Sequence, residues 1–128
     1  MRLVLNIALG LALLALWNPS VSRAHHSATM YDFEQVITIE GVVKEFLWTN
    51  PHVMMWVVVP ATEDKPERNW QLENTSPGRL IRLGWSKNAF KPGTPVRVEF
   101  WPLRSGKSGG FVKQSTNLET NQVLEVKE

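Results

Sequence analysis

The order of its secondary-structure patterns constrains the fold of this chain more than any other feature. Segments rich in β-branched and aromatic residues, with alternating polar and apolar positions, predict strands, and one segment has the apolar spacing and the cap of a helix. In chain order the pattern predicts strands over residues 36–48, 52–59 and 70–73, a short helix after Ser76, a strand over 94–103, a glycine-rich loop over 104–110, a fifth strand from 111 and a short sixth over 122–126. The chain therefore places one helix among at least five strands.

The position of that helix favours one architecture. Ser76 is a good N-cap, Pro77 suits a first helical turn, and Gly84 ends the apolar stripe. Gly41 lies in the middle of the first strand and predicts a bulge or bend, which lets one strand serve both halves of a barrel. We therefore predict a mainly β fold, a small OB-fold-like five-stranded barrel with one short helix between strands 3 and 4. A β-sandwich of the same strands is the alternative.

The second predicted strand differs from the others because it is apolar at almost every position. Residues 53–59 contain no charged or polar side chain. Such runs are typical of strands that are covered on both faces, or of an edge strand pressed into the core. The sequence thus predicts either burial on both faces of this strand or an edge strand pressed into the core.

The first 24 residues have the three-part pattern of a secretory signal peptide. Arg2 is the basic start, an apolar segment of about 15 residues follows, and small residues lead to Ala24. That segment is shorter than the ~20 residues of a membrane-spanning helix. The sequence predicts cleavage after Ala24, an N-terminal arm over residues 25–34 and the barrel domain over residues 35–128. Cleavage after Ser22 is the alternative, and either cut predicts a periplasmic or secreted protein with no stable membrane anchor.

The charge of the predicted mature chain is balanced. The full chain has 14 Lys and Arg residues against 12 Asp and Glu residues, and cleavage removes Arg2 and Arg23, which leaves 12 of each sign. Proteins that bind nucleic acid need basic residues to neutralise phosphates. The balance therefore predicts no nucleic-acid partner, and leaves a small ligand, a metal ion or an exported protein as the partner.

Cysteine is absent from the sequence. An exported domain without cysteine has no disulfide, so hydrophobic packing must stabilise it. Thiolate metal sites and cysteine nucleophiles are excluded as well.

Three histidines are the candidate metal ligands. Cleavage after Ala24 makes His25 the first residue, so that its amine and its imidazole can chelate one ion together, and His26 follows it. Imidazole and amine nitrogens favour Cu(II), which is high in the divalent affinity series and accepts planar nitrogen geometry. His52 is the third nitrogen donor, and Asp32 and Glu34 are nearby carboxylates that could close the site. This arrangement resembles the histidine brace of copper proteins.

Two alternatives to this copper site remain open. Cleavage after Ser22 gives the start Arg23-Ala24-His25, whose third-position histidine also suits Cu(II) or Ni(II). The histidines of a polar terminus also often have no ligand role, and His52 then only hydrogen-bonds a turn.

Trp48 and Asn50 form a second candidate cluster, before His52. They are predicted as a ligand-binding lip at the barrel mouth, with Trp48 as a platform, which Trp70, Trp85 and Trp101 could extend. The alternative is a tight turn in which Trp48 packs on Trp56 or Met54, with the other tryptophans in the core.

Several of these segments occur together in one known family. They are His25-His26-Ser27, Phe33, the strand from Val36 to Gly41, Trp48-Thr49-Asn50-Pro51-His52, Ser76-Pro77 and Leu83-Gly84-Trp85. From His25 to about Val112 the chain resembles a family of uncharacterised exported bacterial proteins, domain of unknown function family 6152. Many members have Ala where this chain has Val53. The resemblance implies export and a small β domain, and it implies no activity.

We therefore interpret the chain as an exported binding module rather than an enzyme. Its cofactor is predicted to be copper or another transition metal, held by His25, His26 and His52. A structural or ligand-binding barrel without metal is the alternative.

Overall fold

The computed structural model describes residues 30–126, so the predicted signal peptide, His25 and His26 lie outside the described residues. Within this range the elements are β1 Ile37–Leu47, β2 Met54–Val59, β3 Arg68–Glu73, α1 Pro77–Arg82, β4 Pro95–Pro102, β5 Gly109–Asn117 and β6 Val123–Glu125. In residues 30–126 no helix has the length and apolar character needed to cross a membrane.

Five of the strands close into a barrel. β1 pairs antiparallel with both β2 and β4, β2 pairs with β3, and β4 pairs with β5. A parallel pairing of β3 with β5 completes the ring, and β6 extends it beside β5. The helix α1 lies between β3 and β4 in the chain. The predicted five-stranded barrel with one short helix is confirmed.

The first strand is shared by two parts of the barrel. Residues 37–42 of β1 pair with β4, and residues 42–47 pair with β2. The bulge lies between Val43 and Glu45, and not at Gly41 as the sequence predicts. Gly41 has a different role, because a Cβ atom at this position would lie 2.4 Å from the carbonyl oxygen of Val58. The neighbouring strand therefore approaches too closely for any larger residue.

The structure overturns the first alternative for β2, burial on both faces. Met55 and Val57 are fully buried, whereas Met54, Trp56 and Val58 are only half-buried. The wall of the barrel is a single sheet. Successive side chains of each strand therefore point alternately to the interior and to the outer surface. The sequence cannot show which residues of β2 point outward, because the outward residues are apolar as well.

The barrel interior is a continuous apolar core. Val96, Val98 and Phe100 alternate inward along β4 with no exposed surface. Other fully buried side chains are Val43, Val53, Met55, Val57, Leu72, Leu80 and Val112. Burial of such side chains contributes about 1.5–3 kcal/mol each, which lets the domain fold without disulfides.

The helix α1 contributes to this core with its buried Leu80. The Oγ atom of its N-cap Ser76 accepts a hydrogen bond from the Arg79 N–H at 3.4 Å, which confirms the predicted cap. After the helix, Trp85 is buried, with its ring 6.0 Å from that of Phe90. The Trp85 Nε1–H donates to the carbonyl of Glu125 at 3.1 Å and so joins this segment to β6.

Candidate functional site

His52 lies in the loop between β1 and β2, directly after Pro51, whose peptide bond to Asn50 is cis. Its Nδ1 atom contacts the Oε1 atom of Glu73, the last residue of β3. Both side chains are partly exposed, at 35% for His52 and 23% for Glu73. The imidazole is thus oriented by a carboxylate at the surface of the barrel.

The N-terminal arm reaches the same carboxylate. The Tyr31 hydroxyl donates to the Oε2 atom of Glu73 at 2.7 Å. The backbone fixes the arm at this position, because the Asp32 N–H donates to the Pro102 carbonyl at 2.8 Å and the Arg104 N–H donates to the Met30 carbonyl at 2.9 Å. Residues from the arm, the β1–β2 loop and β3 therefore form one cluster, the His52–Glu73–Tyr31 cluster.

The surroundings of the Tyr31 hydroxyl determine its protonation. Burial of the Tyr31 ring, together with its hydrogen bond to the Glu73 carboxylate and the charge of that carboxylate, raises the pKa of the hydroxyl far above its usual value. Tyr31 therefore remains a neutral donor at physiological pH. The contact with Glu73 involves Nδ1 of His52, so a neutral imidazole in this orientation would coordinate a metal ion through Nε2.

Metal ligands in proteins are commonly arranged in this way, with the second nitrogen of a histidine hydrogen-bonded to a carboxylate. Among residues 30–126 no three His, Asp or Glu residues converge to hold a metal ion. The predicted ligands His25 and His26 lie outside that range. The described residues thus offer one oriented imidazole with its supporting groups.

Asp32 and Glu34, the two carboxylates predicted to close the metal site, have different surroundings. The Oδ1 atom of Asp32 lies 3.7 Å from a guanidinium nitrogen of Arg104, and Glu34 is exposed. The carboxylate that contacts His52 is that of Glu73, whose sequence position carries no signal for this contact. It lies 21 positions after His52, and only the pairing of β2 with β3 brings the two together.

An aromatic patch lies next to the cluster. The Tyr31 and Phe111 ring centroids are 5.6 Å apart, those of Phe33 and Trp101 are 5.2 Å apart, and Trp101 stacks on Phe111 at 6.3 Å. Phe33 is 41% exposed, and Trp101 and Phe111 are half-buried. We call Phe33, Trp101 and Phe111 the aromatic patch.

The other predicted aromatic positions are placed differently. The Trp48 ring is half-buried, 5.8 Å from Phe46, at the edge of the core. Trp70 and Trp85 are buried in the core, and only Trp101 belongs to the aromatic patch. Asn50 is exposed in the β1–β2 loop, and its carbonyl accepts a hydrogen bond from the Thr49 hydroxyl at 3.4 Å.

Solved structures with a similar barrel are single-stranded DNA binding proteins. The mitochondrial protein Rim1 of S. cerevisiae, in its Form2 crystal structure, has a TM-score of 0.51 at 14% identity, over 66% of this chain and 93% of that one. A selenomethionine-labelled Form2 structure of Rim1 has a TM-score of 0.50 at 13% identity, over 73% of this chain and 97% of that one. These similarities establish the OB fold of the chain.

The prediction that nucleic acid is excluded as a partner is wrong. It depends on net charge, yet the same barrel occurs in proteins that bind single-stranded DNA. Barrels of this kind combine aromatic stacking platforms with a local basic groove. Because a net charge averages over the whole surface, it cannot exclude such a groove.

The family resemblance of the sequence is confirmed. A comparison with curated proteins finds no match. The model of one family, described as "Family of unknown function (DUF6152)", matches residues 13–114, which is most of the chain. The protein therefore belongs to the DUF6152 family of unknown function, as a β-barrel module with an OB fold.

Proposed function

We propose that the protein is an exported binding module that holds Cu(II) through His52 and the mature amino terminus, His25 and His26. The signal peptide directs export, and its cleavage after Ala24 frees the amine of His25. The metal ligands are this amine and the imidazoles, and Glu73 and Tyr31 orient His52. The barrel is the rigid support of the site.

The observation that carries this proposal is the shared carboxylate. Tyr31 and His52 both contact Glu73, so the start of the described arm is fixed beside the imidazole of His52. His25 lies six positions before Tyr31 in the sequence, and a segment of that length spans at most about 20 Å. The chain between His25 and Tyr31 is therefore short enough to keep the mature amino terminus near His52.

The chemistry of the donors favours copper. A terminal amine and imidazoles are nitrogen ligands, and among divalent first-row ions such a set binds Cu(II) most strongly. A bound Cu(II) ion needs His52 in its neutral form, and a carboxylate at Nδ1 holds the ring in one orientation for coordination through the other nitrogen. The phenol of Tyr31 holds the carboxylate in position for this interaction.

Isothermal titration with Cu(II) tests the proposal directly. The chain that begins at His25 is expected to bind one Cu(II) ion, and the same chain with its terminal amine acetylated is expected to lose this binding. Acetylation removes the primary amine of His25 as a ligand but leaves all imidazoles in place. Equal affinity of the two chains, or no binding by either, would contradict the proposal.

Two matched variants in the same titration test the part played by the barrel. Glu73→Gln is expected to weaken Cu(II) binding by about 10–100-fold, the usual effect of removing a carboxylate that orients a histidine ligand. Glu63→Gln changes an exposed carboxylate in the loop between β2 and β3 and is expected to have no effect. If the Glu73 variant binds as tightly as the unmodified protein, the proposed role of Glu73 in orienting a copper ligand is wrong.

The aromatic patch supports a second candidate function, the binding of single-stranded nucleic acid. Phe33 is exposed beside Trp101, and Arg104 and Lys107 are exposed in the adjoining loop between β4 and β5. OB folds bind oligonucleotides with strands 2 and 3 and with the loops that follow strands 1 and 4. Exposed aromatic rings and basic side chains are the two components of such a surface.

Fluorescence anisotropy with a labelled oligothymidylate tests this candidate. Binding is expected at low salt and is expected to weaken as salt rises, because phosphate contacts release counterions. Phe33→Ala is expected to weaken binding by about tenfold, the effect of losing one stacked base, whereas Ile81→Ala on α1 is expected to have none. Absence of binding by the unmodified protein at low salt would eliminate the candidate.

A further inference from the structure

We infer that the outer face of β2 and β3 binds a neutral oligosaccharide, with Trp56 as the ring on which a sugar stacks. The copper proposal is not needed for this role, because no proposed metal ligand takes part in it. The role also accounts for an apolar side chain of β2 that points away from the barrel interior.

Trp56 lies in the middle of this outer face. Its neighbours in the strand, Met55 and Val57, are fully buried in the barrel interior, so the two-residue period of a strand directs Trp56 outward. Trp56 is half-buried, and within residues 30–126 its indole is paired with no other aromatic ring. One face of the indole is therefore available to a ligand at the outer surface.

The strand register places polar side chains on both sides of Trp56. Glu45 of β1 and Gln71 of β3 are its direct antiparallel partners, and both are exposed. Side chains at such paired positions lie on the same face of the sheet, with their Cβ atoms about 4.5–5.5 Å apart. Asn69 is also exposed and lies on this face, two positions before Gln71 in β3. The indole is thus flanked by one carboxylate and two carboxamides.

This combination of groups matches the chemistry of a sugar. The C–H groups on the face of a pyranose ring pack against an aromatic ring, and the hydroxyl groups at its edge need hydrogen-bond partners. A carboxamide both donates and accepts, and a carboxylate accepts, so Gln71, Asn69 and Glu45 suit these hydroxyl groups. OB folds bind oligosaccharides as well as oligonucleotides with the face of strands 2 and 3.

The charges on this face favour a neutral sugar over nucleic acid. A single strand of nucleic acid needs basic side chains along its phosphates. Neither direct partner of Trp56 is basic, and Lys44, in the bulge of β1, is followed directly by Glu45. Glu73 adds a second carboxylate at the end of β3. Phosphates would therefore meet more negative than positive charge here, whereas a neutral oligosaccharide is not repelled.

Titration calorimetry with four neutral hexasaccharides tests the inference on the chain that begins at His25. At least one of cellohexaose, maltohexaose, laminarihexaose and chitohexaose is expected to bind. Trp56→Ala is expected to weaken this binding by about tenfold or more, because the stacking face is lost, and Trp56→Phe is expected to retain part of the affinity. Trp101→Ala removes a tryptophan from the aromatic patch and is expected to have no effect, with circular dichroism showing that each variant is folded.

A second pair of variants tests the polar groups of the site. Gln71→Ala is expected to weaken the same binding by about 2–10-fold, the effect of losing one hydrogen bond. Gln114→Ala removes the same side chain from β5, where it is paired with Glu99 of β4, and is expected to leave the affinity unchanged.

The outcomes decide between this ligand and the alternatives. The inference is overturned if none of the four hexasaccharides binds, or if binding depends on Trp101 and not on Trp56. If Trp56→Ala does not fold, unchanged affinity in both Trp56→Phe and Gln71→Ala overturns it as well. Binding of oligothymidylate that depends on Trp56, without binding of any hexasaccharide, would assign this face to nucleic acid instead. The Cu(II) titration is independent of all these results.

Discussion

Replacing Phe100 with alanine is expected to lower the free energy of unfolding by about 3–5 kcal/mol, the usual cost of emptying an aromatic position in a core. Phe100 is fully buried in the middle of β4, and its ring centroid lies 5.1 Å from that of Trp70. The strands of the surrounding barrel are hydrogen-bonded to one another, so the wall relaxes only partly into the cavity. Because a domain of this size has only about 5–15 kcal/mol of stability, this is a large fraction of the total.

Urea unfolding followed by tryptophan fluorescence measures this effect. Phe33→Ala removes the same side chain from an exposed position and is expected to cost less than about 1 kcal/mol. If Phe100→Ala does not fold, Phe100→Leu is expected to fold with a loss of about 1–2 kcal/mol, because it leaves a smaller cavity. Equal unfolding free energies for the Phe100 and Phe33 alanine variants would show that the barrel interior is not the stabilising core.

Replacing Gly110 with alanine is expected to destabilise the barrel by about 3 kcal/mol, the upper part of the range for overpacked sites. A Cβ atom at this position would lie 2.3 Å from Cδ2 of Phe100 and 2.4 Å from the carbonyl oxygen of Trp101. The second contact involves the backbone of β4, which is paired with β5 at this point. Relief therefore requires a shift of the strand pairing and not only a new side-chain rotamer.

Gly78→Ala is the matched control. Gly78 lies in α1, and the nearest atom to an added Cβ is the Arg82 side chain at 4.0 Å. An alanine in a helix without a clash is expected to stabilise by about 0.4–1 kcal/mol, since it lowers the entropy of the unfolded chain. Urea midpoints that move in the same direction for both glycine variants would contradict the close approach at Gly110.

The position of Gly110 also could not be predicted from the residues around it in the sequence. The sequence places it at the end of a glycine-rich loop, yet it lies in β5, opposite Pro102 of β4. Glycine is typical of flexible loops and equally of places where two backbones or a ring come close. Local composition cannot separate these cases, because the atoms that exclude a side chain come from a different strand.

Other elements could be predicted because their causes are local. Ser76 and Pro77 predict the start of α1, since the cap and the first turn involve only neighbouring residues. The alternation of Val96, Val98 and Phe100 predicts the buried face of β4, since a strand has a two-residue period. The order of these elements along the chain then predicts the barrel.

The residues of the candidate site also include some that the sequence predicts and some that it does not. The sequence draws attention to His52, and it predicts His25 and His26 as companions, because histidine is a metal ligand in many contexts. It carries no mark for Glu73. The position of this residue beside His52 depends on which residue of β2 lies opposite which residue of β3.

By itself, the sequence determined the class of the fold, the place of the helix and the family to which the chain belongs. Only the tertiary structure decided that Tyr31, His52 and Glu73 meet, across as many as 42 positions of sequence. The physical reason is that strand and helix patterns arise from interactions between near neighbours. The register between strands, by contrast, is set by the packing of the whole barrel.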